Sequence, residues 1–122
     1  MFTDPSSFAM NGMMGVAKLD WSDELLDAIN VSRDKLPPIK QSARQVGCIS
    51  PKAAEFTGFH AGTPICVGGG DQQCAAIGSD IIKEDMAEIT VGTAGVIVAT
   101  VDKVYEEPRH EIYFSGHANP GK

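Results

Sequence analysis

The stretch Thr63–Gly78, "TPICVGGGDQQCAAIG", constrains the fold more than any other part of the chain. An apolar run ends in three glycines, and a small-residue helical segment then opens on a single acid. The junction reads as a strand handing over to a helix. The glycines permit a tight turn and a close approach of backbone to a ligand. In sheets flanked by helices, this corner is where ligands bind. Asp71 stands at it, where a helix N-terminus favours a charged carboxylate. An ionised carboxylate can take a proton from a hydroxyl, and Gln72 and Gln73 can hydrogen-bond a polar substrate. The plainer reading of the spacing is that Asp71 is an N-cap, a common use of Asp.

The flanking segments set the element order. Residues 1–20 are rich in Met, Gly and Ser and lack a clear period. In "WSDELLDAIN", Ser22 can cap a helix whose Leu25, Leu26 and Ile29 share one face, and "DKLPPIK" stops it at two prolines. Trp21 anchors the helix start. "SARQVGCI" reads as a short strand. "SPKAAEFTG" reads as a compact helix with Ser50 as cap, Pro51 in the first turn and Gly58 after the last. "PICVGG" follows as a buried strand and "DQQCAAIGSD" as a short helix. "AEITV" and "GVIVATV" make a hairpin about "GTAG", "HEIYFSG" makes one more strand, and the tail "HANPGK" is irregular. Helices come early and antiparallel strands late, which suggests an α+β domain or a chain crossing a domain boundary. The Gly92-Thr93-Ala94-Gly95 turn is a plain hairpin connection on its face, but glycine-rich turns also form anion-binding nests, and Thr93 adds a hydroxyl.

Composition removes several function classes. The 122 residues carry 16 acids against 10 bases, a net charge of −6 with no Lys/Arg cluster, so the footprint of a nucleic-acid binder or a basic membrane-docking face is missing. The charge-free run Ile89 to Val101 is shorter than the roughly 20 residues of a membrane helix and is rich in strand formers. The N-terminus does not read as a secretory signal. Cys48, Cys66 and Cys74 form no C-x-x-C pair, and an odd count without a framework points to reduced thiols and a cytoplasmic location. His60, His110 and His117 make no zinc spacing with them and read as surface or packing residues. Cys74 as a nucleophile would need a histidine base, and nothing orients the nearest in sequence, His60.

Taken together, "SPKAAEFTGFHAGTPICVGGGDQQCAAIGSDIIKEDMAEITVGTAGVIVAT" closely resembles the middle of FGGY-family carbohydrate kinases. "LDWSDELLDAINVSRDKLPPI" and "HANPGK" resemble that family's flanking segments, and Met1 to Lys18 is the least typical part. The resemblance implies an α/β fold of the actin-like ATPase class with ribonuclease-H-like cores. It implies a chain that spans the junction of two domains, with residues 1–70 ending the N-terminal domain and 71–122 starting the C-terminal one. It also implies that ATP, with Mg²⁺, donates its γ-phosphate to a sugar hydroxyl. Asp71 matches the family's catalytic base, which also contacts the sugar. Gln72 matches a substrate-side residue of glycerol-kinase-like members, and Gly92 and Thr93 match the phosphate loop that holds the γ-phosphate.

Within the family, "AAEFTGFHAGTPICVGGGD" looks most like xylulokinase-type members, whose substrate is a ketopentose such as xylulose; "GDQQ" also occurs in glycerol kinases, so a polyol kinase is the alternative. The chain departs from the pattern in having Ala94 where Ser or Gly is usual. It also lacks a "DxGT" phosphate loop and an adenosine-binding segment. A fragment is therefore expected: base and one phosphate loop without a complete cleft, inactive by itself, associating with the rest of the kinase chain or with itself. The reading from another class is a truncated binding or interaction piece that transfers no phosphate.

Overall fold

The computed structural model describes residues 1–7, 11–105 and 107–119. The N-terminal part is a small apolar knot. Strands β1 (Met14–Gly15) and β2 (Asp20–Trp21) pair antiparallel and lead into α1 (Asp23–Ala28). Met14, Trp21 and Leu26 are buried together, with Met13, Val16, Leu19, Val31, Leu36 and Ile39 packed against them. Ser22 caps α1 by accepting from Leu25 N. The two prolines do not end this helix. Asn30, at φ 55°, takes the left-handed conformation instead, and Val31 N and Asn30 N close on Leu26 O and Asp27 O at 3.0 and 3.1 Å. The proline segment lies over Trp21, whose Nε1 donates to Pro37 O at 3.0 Å. Arg33 clamps the entry to α1 through Asp20 at 2.7 Å and Asp23 at 2.9 Å; its hydrogen bonds to Asp23 and then to Asp20 hold the guanidinium pKa above the ordinary value.

The middle part follows the local signals closely. Strands β3 (Gln45–Cys48) and β4 (Pro64–Cys66) pair antiparallel around α2 (Pro51–Thr57). Ser50 caps α2 by accepting from Ala53 N at 3.1 Å, Pro51 sits in its first turn, and Gly58 closes it at φ 79°. The expectation of a buried strand at "PICVGG" is corrected: Pro64, Ile65 and Cys66 are exposed. Their apolarity has no layer to meet among the described residues. Phe56 and Phe59 are likewise exposed.

Helix α3 (Asp71–Gly78) follows β4, and strands β5 (Ala87–Val91) and β6 (Gly95–Ala99) form the last ladder. Ile89 faces Ile97 and Val91 faces Gly95 on one side of that hairpin; Glu88 faces Val98 and Thr90 faces Val96 on the other. Gln72 of α3 reaches the Glu88/Thr90 side, so Ile89 and Ile97, on the opposite side, are 70% and 72% exposed.

The strand expected at "HEIYFSG" does not form. A strand exists only in a ladder, and the start of this segment turns back on Glu107 instead. Glu111 N and Arg109 N donate to the Glu107 carboxylate at 2.8 and 3.0 Å, which holds that carboxyl below its ordinary range. Phe114 meets Tyr105 edge to face. The tail resemblance lies partly outside the described residues, at Pro120 to Lys122. Among the described residues no helix is long and apolar enough to cross a membrane.

Candidate active site

The glycine corner is built against the chain's own N-terminal turn. None of Gly68, Gly69 and Gly70 has a positive φ, so the tight-turn reason for them does not hold. Close approach does at Gly69 and Gly70, where the partner is protein, while Gly68 has nothing within 4 Å of where a Cβ would stand. A Cβ on Gly70 would come within 3.0 Å of Ser6 O, and one on Gly69 within 3.2 Å of Ser6 Oγ. Gly70 N donates to Ser6 Oγ at 2.8 Å. Gly116 packs onto Pro5 from another direction, where a Cβ would meet Pro5 C and O at 3.1 Å.

Behind that contact lies a carboxylate that sequence reasoning missed. Asp4 is 2% exposed. Its Oδ2 accepts from Ser6 N at 3.0 Å, from Ser42 Oγ at 2.7 Å and from Ser6 Oγ; its Oδ1 accepts from Ser7 Oγ. Burial pushes the carboxyl pKa up, but bonds from the Ser6, Ser7 and Ser42 hydroxyls and the Ser6 amide outweigh it and hold Asp4 below its ordinary value. The available signal was "DPSS", an Asp with serines two and three residues on, which is the pattern of a side chain accepting from the following backbone.

Asp71 is the first residue of α3, and Gly70 holds the N-cap position, so the reading of Asp71 as the cap is corrected. Asp71 still serves the helix start, since its Oδ1 accepts from Gln72 N at 2.8 Å. It is exposed, and it lines an open cleft of about 840 Å³. The cleft runs between the Ser6–Ser7 turn, the first turn of α3, β6 and residues 111–117. Gln72 lines it too, with its Nε2 bonded to Glu88 Oε1 at 2.5 Å and Thr90 Oγ1 at 3.2 Å. That side chain therefore ties α3 to β5. Gln73 Nε2 donates to Ser115 Oγ at 3.1 Å across the cleft floor.

Gly92 and Thr93 sit in the three-residue turn between β5 and β6, outside the cleft lining. Gly92 N donates to Ala94 O at 3.1 Å, so that amide is spent inside the turn. The turn begins just beyond Thr90, which Gln72 holds, and so the corner and the turn are mechanically joined through one glutamine.

The far end of α3 is a second knot. Asp80, at φ 62°, closes the helix, with Ile81 N on Ala76 O at 2.8 Å. Ile81 O accepts from Thr100 Oγ1 at 3.2 Å and meets His117 Nε2 at 3.1 Å. Asn119 N donates to His117 Nδ1 at 2.8 Å, which makes Nε2 the protonated nitrogen. His117 is thus a packing residue. Cys74 is exposed and has no histidine partner among the described residues.

Comparison with known proteins gives the corner its context. The pattern of the FGGY family of carbohydrate kinases, N-terminal domain, matches residues 1–78. Over 118 residues, 97% of the chain, the sequence is 31% identical to the autoinducer-2 kinase of Klebsiella pneumoniae subsp. pneumoniae, of which it covers 22%. Over the same share it is 32% identical to the xylulose kinase of Escherichia coli, of which it covers 24%. Among solved structures, a ligand-bound xylulose kinase from Lactobacillus acidophilus superposes with a TM-score of 0.81 at 30% identity, covering 88% of this chain and 22% of that one. The chain thus spans about a quarter or less of the relatives it matches. With that match running from the N-terminal turn through the glycine corner to the end of α3, the chain belongs to the FGGY family of carbohydrate kinases.

Proposed function

We propose that these residues form a central segment of an ATP-dependent sugar kinase in which Asp71 is the general base. The observation that carries the reading is the position of Asp71: an exposed carboxylate heading a helix at the edge of a large cleft, in a family of carbohydrate kinases. In the proposed step Asp71 accepts the proton of the sugar hydroxyl as its oxygen bonds to the γ-phosphorus. The bond from that phosphorus to the β–γ bridging oxygen breaks, and ADP leaves. Phosphoryl transfer asks mainly for positioning and charge stabilisation, which a rigid corner supplies. Gln72 contacts substrate in this proposal, at the cost of loosening its bonds to Glu88 and Thr90. Gly92 and Thr93 hold the γ-phosphate in this proposal, the Gly92 amide exchanging its bond to Ala94 O for the phosphate.

Magnesium, when bound, neutralises charge on the nucleotide phosphates. Among the described residues no group of three or more His, Cys, Asp or Glu side chains is placed to hold a metal.

The domain junction is proposed near Asp71, with 1–70 in the N-terminal and 71–122 in the C-terminal domain. The change from capped helices to the β5–β6 hairpin supports it, while the N-terminal-domain match continues to residue 78. The proposed substrate is a ketopentose such as xylulose, which the xylulose kinase relatives support. The proposed location is cytoplasmic, supported by three exposed free thiols. The isolated 122-residue chain is proposed to be inactive, because it spans about a quarter or less of the kinases it matches and a partial cleft cannot close over substrate.

The test is ADP release by the complete kinase with xylulose, ribulose, gluconate and glycerol, for Asp71 and for Asp71→Asn. Asparagine is nearly isosteric. Loss of the base should lower kcat by about 10²–10⁴-fold, with melting temperature and sugar affinity little changed. A folded variant of near-normal kcat removes Asp71 from the mechanism, and sugar-dependent turnover by the isolated chain overturns the fragment reading.

A further inference from the structure

The buried Asp4 carboxylate has no part in the proposed chemistry, yet it anchors the corner that carries it. Among the described residues Asp4 forms no ion pair; its partners are three hydroxyls and one amide. An ionised carboxylate only accepts hydrogen bonds. Ser6 has one hydroxyl hydrogen and gives it to Asp4. Its Oγ is thereby fixed as an acceptor, and the group it accepts from is Gly70 N at 2.8 Å. Gly70 is the N-cap of α3, and Asp71 is the next residue. Ser42 Oγ binds the same Asp4 oxygen, and Ala43 N donates to Val67 O at 2.9 Å, so the chain entering the corner is held from its other side as well. Ser6 and Ser7 line the cleft beside Asp71.

We propose that Asp4 and Ser6 are positioning residues for Asp71: the Asp4 carboxylate orients the Ser6 hydroxyl, which pins the Gly70 amide and so sets where the first turn of α3 presents its acid to the cleft. The inference rests on the reading of Asp71 as the base. Asp4 to Ser6 to Gly70 is one polar chain with a single direction of donation, running from backbone to hydroxyl to carboxylate. Small displacements of a reacting group cost rate steeply: about 1 Å is worth up to roughly a hundredfold.

The experiment uses the complete kinase and four forms: unmodified, Ser6→Ala, Asp71→Asn and the double variant. Melting temperature, kcat and the KM for xylulose are measured on each preparation. Ser6→Ala is expected to lower kcat about tenfold to a hundredfold per folded molecule, with KM within about twofold because the Ser6 hydroxyl is already engaged by Asp4 and the Gly70 amide. In the Asp71→Asn background the same substitution should cost nothing further, since its effect passes through that acid. If Asp71→Asn lowers kcat and Ser6→Ala lowers only the melting temperature, Ser6 is structural and this proposal falls alone. The same holds if the two losses simply multiply. If Asp71→Asn leaves kcat intact, the base assignment falls and takes this proposal with it. Hydrogen exchange on the unmodified kinase keeps the idea testable should Ser6→Ala not fold: a slow Gly70 amide is expected, and one exchanging like an open loop overturns the proposal.

Discussion

Ser6 and Gly70, 64 residues apart in sequence, are joined by a 2.8 Å hydrogen bond from the Gly70 amide to the Ser6 hydroxyl. The bond places the N-terminal 3₁₀ turn, Pro5–Ser7, directly against the start of α3. The seam it belongs to is made of small residues and hydroxyls, with Pro5, Ser6, Ala76 and Ala118 all buried. Tight backbone contact of this kind leaves little room for side-chain growth.

Two glycines should therefore answer oppositely to alanine. At Gly116 the new Cβ would press on Pro5 backbone atoms at 3.1 Å, which cannot swing away. Gly116→Ala is expected to destabilise by about 1–3 kcal/mol. At Gly78, the last residue of α3, an added methyl group would meet nothing within 4 Å. Gly78→Ala is expected to be neutral or to stabilise by up to about 1 kcal/mol. Urea unfolding of both variants decides; equal effects would mean that the Pro5 contact is soft.

Acid should loosen the same seam. The folded-state pKa of Asp4 is below its ordinary value of 3.8. Its contribution to stability is then fully present above that ordinary value and is lost as pH falls through the lower folded value. Asp4→Asn should remove this part of the acid limb and cost about 1–3 kcal/mol near neutral pH, the scale of hydrogen bonds to a charged group. Melting curves of both proteins from pH 2 to 7 are the check; parallel curves would show that Asp4 does not carry the pH dependence.

Thr93→Val keeps the shape of the β5–β6 turn and removes one hydroxyl. In the complete kinase the KM for ATP should rise, with the sugar KM unchanged and part of the activity retained through the backbone amides. Unchanged kinetics at limiting ATP would reduce residues 92–95 to a plain turn.

The outward face of the hairpin should make the isolated chain self-associate. Ile89 and Ile97 face one another across the ladder and are mostly exposed, as is Val91 at 86%. Contiguous apolar surface on an uncovered ladder favours pairing with another copy. Light scattering of the purified chain should show concentration-dependent association, and the double change Ile89→Thr and Ile97→Thr should reduce it while keeping strand-forming side chains. A dilute, stable monomer would show that this face is tolerated in water.

Much of the architecture was legible in short windows. Ser50, Pro51 and Gly58 fix α2 because a cap, a preset φ and a left-handed terminus each act within a few residues of chain. The β5–β6 hairpin announced itself through its strand formers on either side of a glycine turn, and Asp71 through the strand-to-helix junction. The sequence by itself therefore determined that these elements form, where α2 begins and ends, and which acid stands at the corner. Other features were decided only when distant segments met. Asn30 rather than the prolines ends α1, Glu111 N donates to Glu107 and Ser115 Oγ accepts from Gln73 where a ladder was expected, and Gly69 and Gly70 are small because Ser6 lies against them. Asp4 is the clearest case: its partner Ser42 is 38 residues away, and the hydroxyl it orients serves an amide 64 residues away. Local preferences are set by backbone sterics and neighbouring donors, which any short window contains. The satisfaction of a buried charge depends on which remote hydroxyls the folded chain brings to it, and only the tertiary structure decides that.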